Sequence, residues 1–207
     1  MTQALLISCL GRSFKLIERM DKKDKLLKAA LELFVTQGLT DAPTSKIAKR
    51  AGVATGTLFY FFPTKDDLIV SLYLKLKRQA AENIDNALKP ATSPKEIIKV
   101  YYEESLKWSL RNPSEFSFLA QFYNSPFLKK ISVDEASGHI GPVLEIFKSA
   151  IEHRLIAPAD VNLLYYLISN QVFGVHQYLL SNDFAEKETN DIIQDTFSMF
   201  WKMVEAR

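Results

Sequence analysis

Apolar residues recur along this chain at helical spacing. Leu27, Ala30, Leu31 and Phe34 follow the i, i+3, i+4, i+7 rule. They lay one apolar stripe on a helix predicted from about Lys22 to Gln37, and Gly38 supplies its stop. Thr44–Ala51 reads as a short second helix broken by Gly52. Thr55–Phe61 reads as a third, ended by Pro63, which cannot continue the hydrogen-bond ladder. Thr64 then caps a long helix from Lys65 to about Leu88, with Asp66 and Asp67 in the first turn where the helix dipole favours negative charge. Pro90 and Pro94 bracket a loop, and Ser93 with Glu96 reads as a capping box opening a helix to about Arg111. Asn112-Pro113 separates it from Ser114–Asn124, and Ser125–Gly138 reads as irregular. Helices follow at about Gly141–Arg154, Ala159–Ser181 and Lys187–Glu205, divided by Pro158 and the Ser181-Asn182-Asp183 cluster. No alternating run of β-branched residues stands out. The pattern predicts an all-α protein of about nine helices with short connections.

Composition narrows the class without naming a function. Hydrophobic types make up 47% and charged types 24% of 207 residues, ordinary values for a globular chain. No apolar run approaches the roughly 20 residues that cross a bilayer. Cys9 is the single cysteine, so no internal disulfide exists, which fits a reducing, cytoplasmic setting. The net charge of +2 hides an asymmetry: residues 1–78 carry 14 Lys/Arg against 7 Asp/Glu, and the remainder 12 against 17. A basic N-terminal third facing a polyanion explains that split; an ordinary solvated basic face is the plainer alternative.

Residues 1–19 form an extension expected to be flexible. Its apolar stretch Ala4–Leu10 has no preceding positive charge, so it makes a poor secretory signal, and Leu6-Ile7-Ser8-Cys9 makes a poor lipoprotein box for the same reason. Met20, just before the first helical pattern, offers an alternative start. A helix-turn-helix domain is expected over 20–67 and a larger helical domain over 68–207.

The informative stretch runs from Thr44 to Lys65. It reads as helix, tight glycine turn, helix. Ile47, Ala48 and Ala51 face inward on the first helix, Val53 fills the turn, and Leu58 and Phe62 anchor the second. Between those anchors stand Thr55, Gly56, Thr57 and Tyr60. A helix that enters the major groove needs such a slim, hydrogen-bonding flank.

These residues resemble the N-terminal DNA-binding domain of TetR-family transcriptional regulators. Phe34 to Gly38 matches the end of the family's first helix. Thr44, Ile47, Ala48, Ala51, Gly52 and Val53 match its second block, and Gly56, Thr57, Leu58, Phe59, Phe61, Phe62, Lys65 and Leu68 its third. The match covers about 45 residues with the expected gaps. By this resemblance Thr44 and Lys65 clamp phosphates at two helix starts. Ser45, Thr55, Gly56 and Thr57 face bases, and Lys46 skirts the DNA backbone. Phe59 replaces the family's usual Tyr, losing a hydroxyl for phosphate while keeping a ring that can touch a thymine methyl. Tyr60, one residue on, carries a hydroxyl instead. Each position also has a plain reading: Lys46, Lys49 and Arg50 as a wet face, Thr44 as a helix cap, Phe59, Phe61 and Phe62 as core.

Past Leu68 the resemblance is architectural. In the family this region encloses an effector cavity and forms the dimer. The resemblance therefore implies a small, lipophilic effector here, with Tyr101, Trp108, Phe118, Gln121, Phe122, His139, Phe147, Asn170 and Phe173 as candidate contacts, although aromatics at helical spacing are more often core. The last two helices are apolar over more than one face, which suggests an isologous dimer built as a four-helix bundle. Leu167, Gly174, Tyr178, Ile193, Phe197, Phe200 and Trp201 are its candidate residues. Two helix-turn-helix units one turn of DNA apart would then read a palindrome.

No enzyme is expected. His139, His153 and His176 are scattered and form no His-x-x-x-His, and no phosphate loop or nucleophile constellation emerges. Neither metal nor cofactor is assigned. The leading reading is a dimeric, ligand-responsive repressor of a DNA operator; the alternative is a helical DNA-binding protein governed by a protein partner.

Overall fold

The computed structural model describes residues 21–88, 91, 93–131 and 133–206, with the backbone alone over 133–140. Among the described residues the chain forms nine α-helices, one 3-10 helix and a single isolated β-bridge. Helix α1 covers 21–37. It is followed by α2 (Thr44–Arg50), α3 (Thr55–Phe61), α4 (Lys65–Leu88), α5 (Pro94–Arg111) and α6 (Pro113–Tyr123). After a 3-10 turn at Pro126–Lys130 come α7 (Val133–Glu152), α8 (Val161–Leu180) and α9 (Glu186–Val204). The all-α expectation and the helix-turn-helix followed by a larger helical region are both met.

Local chemistry sets most boundaries. The Thr64 hydroxyl accepts from the Asp67 amide at 3.1 Å, while the Asp67 carboxylate accepts from the Thr64 amide and hydroxyl at 2.9 and 2.8 Å. This reciprocal cap starts α4. Ser93 caps α5 by accepting from the Glu96 amide at 3.3 Å, with Pro94 at the first position, where its missing N–H costs nothing. Asp160 accepts from the amides of Asn162 and Leu163 and so starts α8, and these bonds lower its carboxyl pKa.

One segment departs from the sequence expectation. Gly138, Gly141 and Pro142 argue for an irregular stretch and a helix beginning near Gly141. The 3-10 turn and α7 instead occupy it, and α7 starts at Val133 and carries Pro142 inside. One missing amide inside a 20-residue helix leaves enough of its ladder intact to hold the turn.

The chain divides into two compact units. Among the described residues, one holds the chain from 21 to Tyr73 together with Ser117–Lys130; the other holds Leu74–Phe116 and the chain from Ile131 onward. In the first, Leu26, Ala30, Phe34, Ile47, Leu58 and Leu68 form a fully buried core. The returning segment caps it. Phe118 meets Phe34 with ring centroids 6.0 Å apart, and Phe122 stacks on Tyr73 at 4.0 Å and 13°. Gln121 Nε2 donates to the Val35 carbonyl at 3.5 Å, and Lys130 pairs with Asp66.

In the second unit Ile98, Tyr102 and Leu106 of α5 pack with Phe147 of α7, Ile168 of α8 and Phe197 and Phe200 of α9, all nearly inaccessible. The Tyr102 hydroxyl donates to Thr196 Oγ1 at 2.9 Å, and Thr196 donates onward to the Ile192 carbonyl at 2.7 Å. The chain end is strapped to the α7–α8 loop by the Ile156–Glu205 bridge. Among the described residues of this unit, Ser109 and His176 are the buried polar side chains. The Ser109 hydroxyl donates to the Leu106 carbonyl at 2.8 Å, which leaves its oxygen to accept from His176 Nδ1 at 2.8 Å. The Phe116 ring lies 4.2 Å from the imidazole.

Burial holds the His176 imidazole below its ordinary pKa of 6.5. The unfolded chain therefore takes a proton that the folded chain refuses as pH falls below about 6.5. Folded stability should drop on that acid side. Replacing His176 with Gln should remove this contribution, so the gap between wild type and H176Q in urea midpoint narrows from pH 7.5 to pH 5.5. A constant gap would mean the imidazole is not held neutral.

Candidate nucleic-acid interface

The junction between α2 and α3 is closed by backbone geometry. Gly52 adopts φ +69°, a left-handed conformation that a side chain would strain. Its amide donates to the Lys49 carbonyl at 3.1 Å, and the Val53 amide donates to the Ala48 carbonyl at 3.0 Å. This pair of bonds is a Schellman closure, and it turns the chain sharply into α3. Gly38, at φ +87°, ends α1 with its amide donating to the Phe34 carbonyl at 2.9 Å. Ile47, Ala48 and Leu58, all at 0–1% exposure, lock α2 against α3.

With Leu58 turned inward, the other flank of α3 faces outward. Thr55 and Gly56 are exposed, Phe59 is 42% and Tyr60 65% exposed, and Thr57 is half-buried. On α2, Ser45 and Lys46 are exposed and Thr44 half-buried. Pro43 occupies the N-cap of α2, so Thr44 is its first helical residue and not its cap. Arg50 is engaged by Glu32 at 2.9 Å. Phe62 is core and Phe61 half-buried.

Lys65 has an unforeseen placement. Its ammonium donates to the Thr40 carbonyl at 2.5 Å and lies 5.9 Å from the Phe34 ring centroid. Burial lowers its pKa, against the opposing pull of Asp41 and Asp66. It thus ties the start of α4 to the loop between α1 and α2. The sequence carries no sign of this, because Thr40 offers a backbone atom and not a side chain.

The candidate effector residues fall in both units. Phe118, Gln121 and Phe122 belong to the first unit, where they pack on or bond α1 and α4 residues. Trp108 and Phe147 are buried in the second unit, Tyr101 is half-buried, and Phe173 stacks near Phe116 at 4.7 Å. Asn170 is exposed, its amide donating to the Tyr166 carbonyl at 2.8 Å. The side chain of His139 lies outside the described residues. The pair formed by Ser109 and His176 was missed as a unit. Ile98, Tyr102, Leu106 and Ser109 follow one helical stripe, so the spacing does place Ser109 on the apolar face of α5.

The candidate dimer residues divide sharply. Leu167 is 38% and Tyr178 53% exposed, and Gly174 is open. Ile193, Phe197, Phe200 and Trp201 are 1–6% exposed within the protomer. Their stripe is taken up by the protomer's own core. The outward side of α9 instead carries Met199 and Met203, at 66% and 59% exposure.

No group of three His, Cys, Asp or Glu residues is arranged to hold a metal among the described residues, and no described helix is long and apolar enough to cross a membrane.

The family model of bacterial regulatory proteins of the tetR family matches residues 26–72. The chain is 28% identical over 120 residues to the fatty acid metabolism regulator protein of Bacillus subtilis (strain 168), a match covering 58% of this chain but only 57% of that protein. It is 23% identical over 171 residues to the HTH-type transcriptional regulator QacR of Staphylococcus aureus, covering 81% of this chain and 91% of QacR. Among solved structures, a TetR-family transcription regulator from Shewanella sp. PV-4 superposes with a TM-score of 0.83 at 27% identity, covering 90% of this chain and 99% of that one.

The placement of Lys65 generates a test that needs no DNA. Lys65→Met should destabilise the first unit by about 1–2 kcal/mol, the scale of a charge-assisted hydrogen bond at a partly wet site. Urea unfolding of the free protein reads this. An unchanged midpoint would make the lysine a surface group available chiefly to phosphate.

Proposed function

The chain belongs to the TetR family of bacterial transcriptional regulators, and on that footing we propose that it binds a palindromic DNA operator in the cytoplasm as a homodimer, represses transcription there, and leaves the operator when a small lipophilic effector binds. One observation carries the DNA-binding reading. A short helix, anchored by Leu58 and aimed by the Gly52 turn, presents Thr55, Gly56, Phe59 and Tyr60 to the outside. That flank has the width and chemistry for base edges, while Thr44 and Lys46 of α2 supply backbone contacts. The basic balance of residues 1–78 adds the sequence-independent attraction to phosphate.

The dimer reading is supported by an apolar surface on α8 and α9. Leu163, Tyr166, Leu167 and Tyr178, with Met199 and Met203, are 38–66% exposed in the protomer. A second copy laying the same face against them would bury this surface as a four-helix bundle, with Gly174 allowing close approach. The lipophilic effector is supported by the aromatic second unit and by the name of the Bacillus subtilis relative, a regulator of fatty acid metabolism. An acyl compound is therefore the first class to try.

The release mechanism follows linkage. Helices α4 and α6 each run unbroken from one compact unit into the other, at Tyr73–Leu74 and Phe116–Ser117. An effector that prefers one arrangement of the second unit's helices acts on the first through both. A typical coupling changes operator affinity about 5–150-fold.

Selection of bound DNA from a random pool by the full-length protein, repeated with long-chain acyl compounds present, tests the whole reading. A palindromic site with half-sites about one helical turn apart, lost on adding the acyl compound, is the expected result. Recovery of no selective DNA would overturn it. Separately, Leu167→Glu should convert the dimer to a monomer in sedimentation velocity and weaken operator binding at least tenfold. A variant that stays dimeric would move the interface elsewhere.

A further inference from the structure

The outward flank of α3 contains one residue that its polar neighbours do not explain. Phe59 is 42% exposed and offers no hydrogen-bonding atom. Its ring stacks on no other ring among the described residues. Its hydroxyl-bearing neighbour Tyr60 is 65% exposed, so polar contact with the DNA backbone has a separate donor. Gly56 stands three residues before Phe59, and residues at that spacing are surface neighbours on a helix. A side chain built on Gly56 would meet nothing within 4 Å. A bare strip of backbone therefore lies beside an exposed phenyl edge, with Thr55 closing the row four residues before Phe59.

This arrangement offers one apolar wall, the Phe59 ring, and room beside it for one small group. In the major groove one small apolar group projects from the base edges: the 5-methyl of thymine. Cytosine presents an amino donor and no methyl, and adenine and guanine present polar atoms. A phenyl ring loses water without loss of hydrogen bonds only against such a methyl.

We propose that the Phe59 ring, with the space that Gly56 leaves open beside it, takes the 5-methyl group of a pyrimidine, so that one base position beneath each α3 is read by its methyl group. The inference rests on the DNA-binding reading above and adds a base chemistry to it. Thymine is the committed source; 5-methylcytosine carries its methyl at the same ring position and provides the control.

The test uses the full-length protein and the operator recovered by selection. Each thymine is replaced singly by deoxyuridine, which deletes only the methyl. For the wild type, one thymine per half-site should show a loss of about fourfold, the worth of one buried methyl, while the other thymines show little. Replacing both symmetric copies should cost roughly fifteenfold. Phe59→Ala should bind thymine and deoxyuridine sites alike at that position. Placing cytosine and then 5-methylcytosine there should restore part of the loss for the wild type and none for Phe59→Ala. Gly56→Ala fills that space from the protein side, so it should weaken the thymine site more than the deoxyuridine site. Circular dichroism confirms that each exposed-site variant is folded. Selected DNA whose binding ignores every methyl, or a methyl effect that survives in Phe59→Ala, overturns the inference alone. Failure to select any DNA overturns the DNA-binding reading and the inference together.

Discussion

The helix crossing in the first unit depends on one backbone conformation. Gly52 at φ +69° lets two consecutive amides reach back to Lys49 and Ala48, ending α2 within a single residue. A β-carbon there would meet no neighbouring atom within 4 Å, so the requirement lies in the backbone and not in space. Because the turn is so tight, Leu58 falls opposite Ile47 and Ala48 and is wholly buried. Every exposed position on α3 is then fixed by helical geometry. The flank that would meet DNA is the remainder left after the core has taken Leu58.

Much of this was legible in the sequence, for a definite reason. The glycine turn, the proline after α3, the Thr64 cap and the Ser93 cap are local signals, and local signals survive into the fold. So does the apolar stripe of α1. Lys65 was not legible in the same way. Its type and spacing resemble a phosphate clamp, yet its ammonium is aimed at the Thr40 carbonyl, and a backbone acceptor leaves no mark in composition. The two roles compete for the same three donors of the ammonium.

The second unit shows where periodicity stops helping. An apolar stripe says that a residue is buried but not against what. Phe197 and Leu167 look alike in sequence, yet one is 3% exposed and the other 38%. The excess apolar surface expected on the last two helices is real. It lies mainly on α8 and on the methionines of α9, one step around the helix from the large aromatics. Nor does periodicity say to which unit an aromatic belongs: Phe118 and Phe122 lie in the first unit because α6 passes from one unit to the other at Phe116–Ser117. Proline and glycine statistics failed once, at Pro142, because a long helix with most of its ladder intact absorbs a single missing donor.

The return of Ser117–Lys130 to the first unit bears on how such a protein may be taken apart. Phe118 and Phe122 cover Phe34 and Tyr73, and Gln121 bonds the end of α1, so the helix-turn-helix head is finished by chain that arrives about 55 residues after α3 has ended at Phe61. A cut made at the apparent end of the head would strip two aromatic lids from its interior. In this chain the head is not a detachable cassette. A hybrid that swaps specificity between regulators would have to exchange two separate stretches of sequence, and insertions between them are tolerated only where they leave both stretches free to meet.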